Sequence, residues 1–563
     1  MNKSAIYHKQ KSNYGYPISY KKFCVRLRVA KEDNFDEVNV IMGPKYGYYR
    51  YHYTRPLEKL YEDELFSYYQ AEVDIRDRRV AYIFELKIDG ETYYYSEDGL
   101  TTTYDYNRAY FNFFQYSYIS EDTFVPRIPW TKDAFFYQIF VDRFNMGNSS
   151  KNQDYINLKW GNRPKRDSFA GGDLKGITLM LPYLKKLGIN AIYLTPIFEA
   201  STNHKYNTID YYKIDPQFGD EGDFEELVNV SHSLGIKIVL DAVFNHVSDK
   251  NPYFLDVVEK GKESKYYDWF VIHGDKVDKK GPNYECFCIC RDMPKLNTWN
   301  KEVQQYLLDI VKYYVERFHI DGYRLDVADE VCHDFWRMMR KELKSIDEDL
   351  IIIGENWHDA FEFLQGDQYD SIMNYAFTKN VQDYLCGRED ATRISNRLNE
   401  VLVRNYDSVN YMMLNLLDSH DTHRLFTLLN KNKDLMEIAF AMLVTYIGIP
   451  CMYYGTEIPL EGDFDPSNRR CFELKKKDKN YFNKIKHLIK LRKLSLLKNG
   501  KIKIISDDEM LKIIRYSNKN DKQIELVINL TTDNKHIDAK EVLSSNNYED
   551  GILKTNGYAL HIK

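Results

Sequence analysis

The chain has 563 residues, 44% of them hydrophobic and 29% charged, which is too long for one hydrophobic core and ordinary for a soluble protein of about three domains. Its 78 Lys and Arg against 84 Asp and Glu leave a formal charge of −6, with no long basic run, so nucleic acid is excluded as the expected partner and a neutral or small polar ligand is favoured. The first ten residues hold no apolar h-region, and no run of about 18 apolar residues occurs anywhere, so neither a leader nor a membrane span is expected.

Residues 1–125 read as a β-sandwich. Short alternating strands at 23–29, 81–88 and 92–95 are separated by turn signals such as Asp89-Gly90, and apolar and basic side chains take turns from Val25 onward. Many of the 48 tyrosines crowd into this segment, as in Tyr46, Tyr48, Tyr49, Tyr51 and Tyr53. Flat amphipathic rings suit strand packing first and the faces of sugars second. A link with Pro126 and Pro129 closes the module.

From 126 to 495 apolar strands alternate with amphipathic helices. Strands are expected at 134–140, 191–195, 237–243, 322–326, 350–354, 371–375, 412–417 and 450–454, with helices that include 174–187, 221–234, 301–318, 435–446 and 481–494. Eight strands with eight places for helices predict an α/β fold, the (β/α)8 TIM barrel. The stretch 247–299 is far too long for a βα loop and predicts an inserted subdomain over the barrel mouth. It carries Cys286, Cys288 and Cys290, whose spacing is not the C-x-x-C pair of a zinc site. The eight cysteines are expected to be reduced thiols of a cytoplasmic protein, with a metal-binding or redox role for the trio as the alternative. Short strands return at 496–563, predicting a C-terminal antiparallel β-domain.

Barrel enzymes place their chemistry at the C-terminal ends of the strands, and four of these ends are rich in acids and histidine. The third runs into Asp241-Ala242-Val243-Phe244-Asn245-His246, the fourth into Arg324-Leu325-Asp326-Val327-Ala328-Asp329-Glu330, the fifth into Gly354-Glu355-Asn356-Trp357-His358, and the seventh into Leu417-Asp418-Ser419-His420-Asp421. Side chains two apart on a strand share a face, so Arg324 is expected beside Asp326, lowering its pKa and keeping it ionised as a nucleophile must be. Glu355 sits one βαβ step further on, raised in pKa by neighbouring carboxylates and so able to protonate a leaving oxygen. A separation of roughly 5 to 5.5 Å would make the pair a retaining glycosidase couple. A metal held by His204, His246 and His420 with nearby acids is the competing reading.

These four segments resemble, in order, the signature regions of the α-amylase family, glycoside hydrolase family 13. The resemblance runs from about Trp130 to the end, and the N-terminal module matches the architecture of one branch. It implies Asp326 as nucleophile, Glu355 as acid/base and Asp421 as the third carboxylate, with Arg324, His246 and His420 in the same subsite and Glu330 among the substrate-binding residues. Met293-Pro294-Lys295-Leu296-Asn297 is similar to the cyclomaltodextrinase, neopullulanase and maltogenic amylase branch. On the same footing Tyr206 and His204 belong to the strand-two loop, Asp465 and Arg469 to a clamp on the glycone side, and Trp357 to the aglycone side.

The implied activity is hydrolysis of α-1,4-glucosidic bonds in cyclodextrins, pullulan and maltooligosaccharides through a covalent glycosyl-Asp intermediate. A glucanotransferase or α-glucosidase of the family, and a non-catalytic glucan-binding protein, are the alternatives. Asn207, Asp329, Asn356 and His423 depart from the branch without removing a catalytic group. No cofactor is needed for the chemistry. The family's calcium loop is altered, since residues 145–152 offer few carboxylates for an oxygen-rich site, leaving Asn148, Gly171 and Asp173 as ligand candidates. The branch also implies a homodimer in which the N-terminal module of one subunit covers the barrel mouth of the other, a role that dense tyrosine suits.

Overall fold

Parallel strands organise the middle of the chain, and in the computed structural model, which describes residues 1–108, 110–518 and 520–563, they form a barrel. The strands are β1 (Phe136–Ile139), β2 (Ala191–Leu194), β3 (Lys237–Ala242), β4 (Gly322–Leu325), β5 (Ile351–Gly354), β6 (Ser371–Ile372), β7 (Leu414–Leu416) and β8 (Ile449–Tyr453). Their order is β6-β5-β4-β3-β2-β1-β8-β7. The remaining seam is joined by a parallel bridge between Met373 and Leu414 and by the Asn374 N–H donating to the Leu414 carbonyl at 2.8 Å. The strands are buried along their lengths, as β-branched and aliphatic runs covered by helices must be.

Helices form where the chain supplies a cap and an apolar stripe. The helix Lys301–Phe318 starts at Asn300, whose side chain accepts the Glu302 N–H at 2.8 Å, and stops where His319 turns left-handed at φ 56°. The sixth strand is shorter than the sequence predicts. Asn374 accepts the Phe377 N–H at 3.2 Å and starts the helix Tyr375–Leu385, so Tyr375 is helical. Gly322 opens β4 at φ 154°, and a Cβ there would lie 2.1 Å from the Ile351 carbonyl oxygen. Only glycine lets β4 sit this close to β5, and β4 carries Arg324.

Before the barrel, a four-stranded and a six-stranded sheet pack face to face, burying Val25, Leu27 and Val29 against Val40, Met42 and Phe84. The alternation explains Arg26. It points the other way, toward the barrel, fully buried, donating to the Val403 carbonyl at 2.8 Å and pairing with Asp407 at 3.3 Å. After the barrel, six antiparallel strands form the C-terminal sheet. Among the described residues no helix is long and apolar enough to cross a membrane.

Between β3 and the helix Lys301–Phe318 lies an excursion built from the helix Pro252–Lys260 and isolated antiparallel bridges. It returns over the barrel mouth through a bridge between His246 and Lys295.

Candidate active site

The strand ends converge on a cavity of about 550 Å3, within the range of sites that hold small ligands. Eleven of the twelve site residues singled out in the sequence line it: Asp326, Glu355, Asp421, His246, His420, Tyr206, His204, Trp357, Asp465, Arg469 and Glu330. Arg324, the twelfth, lies beneath the floor and is fully buried.

Arg324 organises that floor. Its Nη1 donates to both oxygens of Asp241 at 2.9 and 3.0 Å and to Asp326 at 2.8 Å, and its Nη2 lies 2.7 Å from Glu355. Asp326 and Glu355 are thus held as neighbours on the two terminal nitrogens of one guanidinium. Asp326 follows the last residue of β4, and Val327 beyond it adopts φ 43°. That left-handed conformation is costly for a β-branched side chain. Here it aims the Val327 N–H at Glu355 Oε2, 3.0 Å away.

The sequence leads one to expect Arg324 to hold Asp326 below the usual carboxylate range. The guanidinium does act in that direction, but burial outweighs it, and Glu355, Asp241 and Asp421 add to burial, so the Asp326 carboxyl lies well above that range. Glu355 is raised too, by burial first and by Asp421 among its neighbours. Burial likewise raises Asp421 and pushes Asp241 up to about 6. Asp326 and Glu355 therefore favour a state that holds one proton between them, because two neighbouring anions out of water repel.

Around this floor, Tyr206 lies parallel to His420, ring centres 5.3 Å apart. Its hydroxyl donates to Asp241 at 2.8 Å and meets His420 Nε2 at 2.6 Å. Gln138 holds the other imidazole nitrogen at 2.7 Å. His420 Nε2 also lies 3.1 Å from Asp421. Burial pushes His204 and His420 well below the usual histidine range and His246 to about 3, so all three are neutral hydrogen-bonding groups at pH 7. Among the described residues no three of His, Cys, Asp and Glu converge as a metal cluster.

One wall is built by Arg469, which donates to the His420 carbonyl at 3.0 Å and pairs with Asp465 at 3.1 Å and Asp421 at 3.5 Å. Opposite, Trp357 is 48% exposed yet stacked flat on Tyr375 at 3.7 Å, leaving its outer face free for another ring. Lys295 bonds Asn245 Oδ1 and pairs with Glu330 at 2.9 Å, tying the excursion to the ends of β3 and β4. Asn207 is occupied inside its own loop by Ser201 and Thr202.

Sequence reasoning passed over Asp241 as a site residue in its own right, together with Gln138, Val327, Arg166 and Phe287, the last of which stacks on His246 at 4.9 Å. Asp241 had a signal, an acid ending an apolar strand; the others had none. The three calcium candidates lie outside the cavity lining, and Gly171 and Asp173 both contact the ammonium of Lys151.

Known proteins resemble this chain over its whole length. Residues 138–523 match the α-amylase catalytic domain, and residues 1–120 match the α-amylase N-terminal Ig-like domain. The chain belongs to the α-amylase family of glycoside hydrolases. It is 43% identical over 500 residues to a cyclomaltodextrinase of Thermoanaerobacter pseudethanolicus, covering 88% of this chain and 86% of that one. It is 39% identical to a maltogenic α-amylase of Bacillus acidopullulyticus, covering 100% and 98%. A solved cyclomaltodextrinase structure superposes with a TM-score of 0.91 at 35% identity, covering 100% of this chain and 98% of that one.

Proposed function

We propose that this α-amylase-family enzyme hydrolyses α-1,4-glucosidic bonds of cyclodextrins, short maltooligosaccharides and pullulan with retention of configuration. Asp326 attacks the anomeric carbon while Glu355 gives its proton to the departing glycosidic oxygen, leaving a glucosyl ester on Asp326. Glu355, now ionised, takes a proton from water, and the water oxygen displaces Asp326. Entry of a sugar between Asp326 and Glu355 separates the two carboxyls, and Arg324 then favours the anion on Asp326 while Glu355 keeps the shared proton. His420, Asp421 and Arg469 bind hydroxyls of the glycone ring, His204, His246 and Tyr206 line the same subsite, and the free face of Trp357 stacks on the aglycone. Asp465 and Glu330 border the mouth.

The observation that carries this reading is the pairing of both Asp326 and Glu355 with a single buried guanidinium at the cavity floor. Incubation with β-cyclodextrin, following new reducing ends, tests it. Asp326→Asn and Glu355→Gln should each lose at least about three decades of kcat with the fold retained, because both groups act in the transition state. Near-parental turnover in either variant would overturn the assignment.

The same reading includes a homodimer. Tyr46, Tyr51 and Tyr110 of the N-terminal module are 78%, 67% and 69% exposed, a density of bare rings that suits an interface. Eight free thiols support a cytoplasmic setting.

A further inference from the structure

We infer that the ammonium of Lys151 occupies the place that the family resemblance gives to a structural calcium, so the loop after β1 is closed by an intramolecular cation and requires no metal. Lys151 Nζ lies 2.9 Å from Asp173 Oδ2, 2.7 Å from the Gly171 carbonyl and 2.8 Å from the Gln217 carbonyl. Three acceptors match the three N–H bonds of an ammonium. The Lys151 side chain is 5% exposed and that of Asp173 is fully buried, so the charges neutralise each other out of water.

The other donors are already committed. Asp173 caps the helix Leu174–Leu187, its Oδ1 accepting the Gly176 N–H at 2.7 Å and the Gly147 N–H at 2.9 Å, while Oδ2 also takes the Asn148 N–H at 3.1 Å. Asn148 Oδ1 is turned away, accepting from the backbone and hydroxyl of Ser150 at 3.0 and 2.7 Å. Calcium needs roughly six to eight oxygens at about 2.3–2.6 Å. Here one carboxylate is on offer, and a divalent ion on the same oxygens would sit against a positive charge. The donor set does not fit calcium.

The consequence reaches the active site. Residues 145–173 carry Arg166, which lines the cavity, and the carbonyls of Arg166 and Ser168 accept from Asn203 at 2.8 and 2.9 Å, in the loop that bears His204 and Tyr206. Fixing this loop with a lysine makes the site's geometry independent of dissolved metal.

The test is calcium content and thermal unfolding of the full chain, after gel filtration from calcium chloride and again in EDTA. The expected result is no stoichiometric calcium and a Tm that differs by less than about 1 °C between the two conditions. In Lys151→Met and Lys151→Asn, Tm should fall by several degrees, because Asp173 is left buried and unpaired. Calcium should restore part of the loss in Lys151→Asn, whose amide oxygen is a ligand. One bound calcium per parent chain, with a Tm that drops in EDTA, would overturn the inference, as would variants that unfold with the parent. Should neither variant accumulate, the parent's calcium content decides.

Discussion

Four carboxyls, the buried Asp241, Asp326 and Glu355 and the partly exposed Asp421, share the guanidinium groups of Arg324 and Arg469, and desolvation raises all four. The linkage for a raised carboxyl is that its stability contribution is intact below the unfolded-state value, about 3.9 for Asp, and is lost as pH rises through the folded value. Asp326→Asn removes that loss. Its Tm should therefore equal the parent's near pH 4 and exceed it by a growing margin up to pH 8, measured by calorimetry at both ends; a margin that shrinks with rising pH would contradict the electrostatic account. At this scale the acids were legible because an apolar strand that ends in a carboxylate is a poor core element. Val327 and Gln138 were not. One contributes a backbone conformation that its residue type argues against, and the other a single amide that means something only beside His420.

The elements follow local rules closely enough that the helix Lys301–Phe318 was readable from its apolar stripe, whereas the sixth strand was read too long because Asn374 is a helix cap that also suits a strand end. The Arg26 joint was hidden for a related reason. Alternating apolar and basic residues predict a strand with one wet face, and the face of Arg26 is covered by the barrel instead. Asp407→Ala leaves that guanidinium buried with only neutral partners, a loss of about 3 kcal/mol. Trypsin cleavage in the link, at Arg127 or Lys132, should then release the N-terminal module faster than in the parent, and an unchanged rate would show that the joint does not hold the two together.

At the scale of the whole molecule, the barrel was legible from its alternation of strands and helices, whereas composition does not separate an interface from a sandwich core, since both draw on the same tyrosines. Tyr48 is fully buried while Tyr46 and Tyr51, two and three residues away, stand out in solvent. A partner's module seated over the cavity would narrow it toward small rings. Tyr46→Ser, Tyr51→Ser and Tyr110→Ser combined should therefore convert a dimer to a monomer in light scattering and lower the cyclodextrin-to-starch rate ratio several-fold. A parent that is monomeric at micromolar concentration would remove this part of the account.

The claim on which the rest depends is a covalent bond to Asp326, and trapping addresses it most directly. In Glu355→Gln the departing group must leave unaided and no base remains to activate water, so an activated donor such as α-maltosyl fluoride should load the enzyme faster than it is discharged. Mass spectrometry of the intact chain and of its peptides is predicted to show one maltosyl group per chain, on the peptide that carries Asp326. An adduct on any other residue, or an unmodified chain that releases fluoride at the parental rate, would contradict the account.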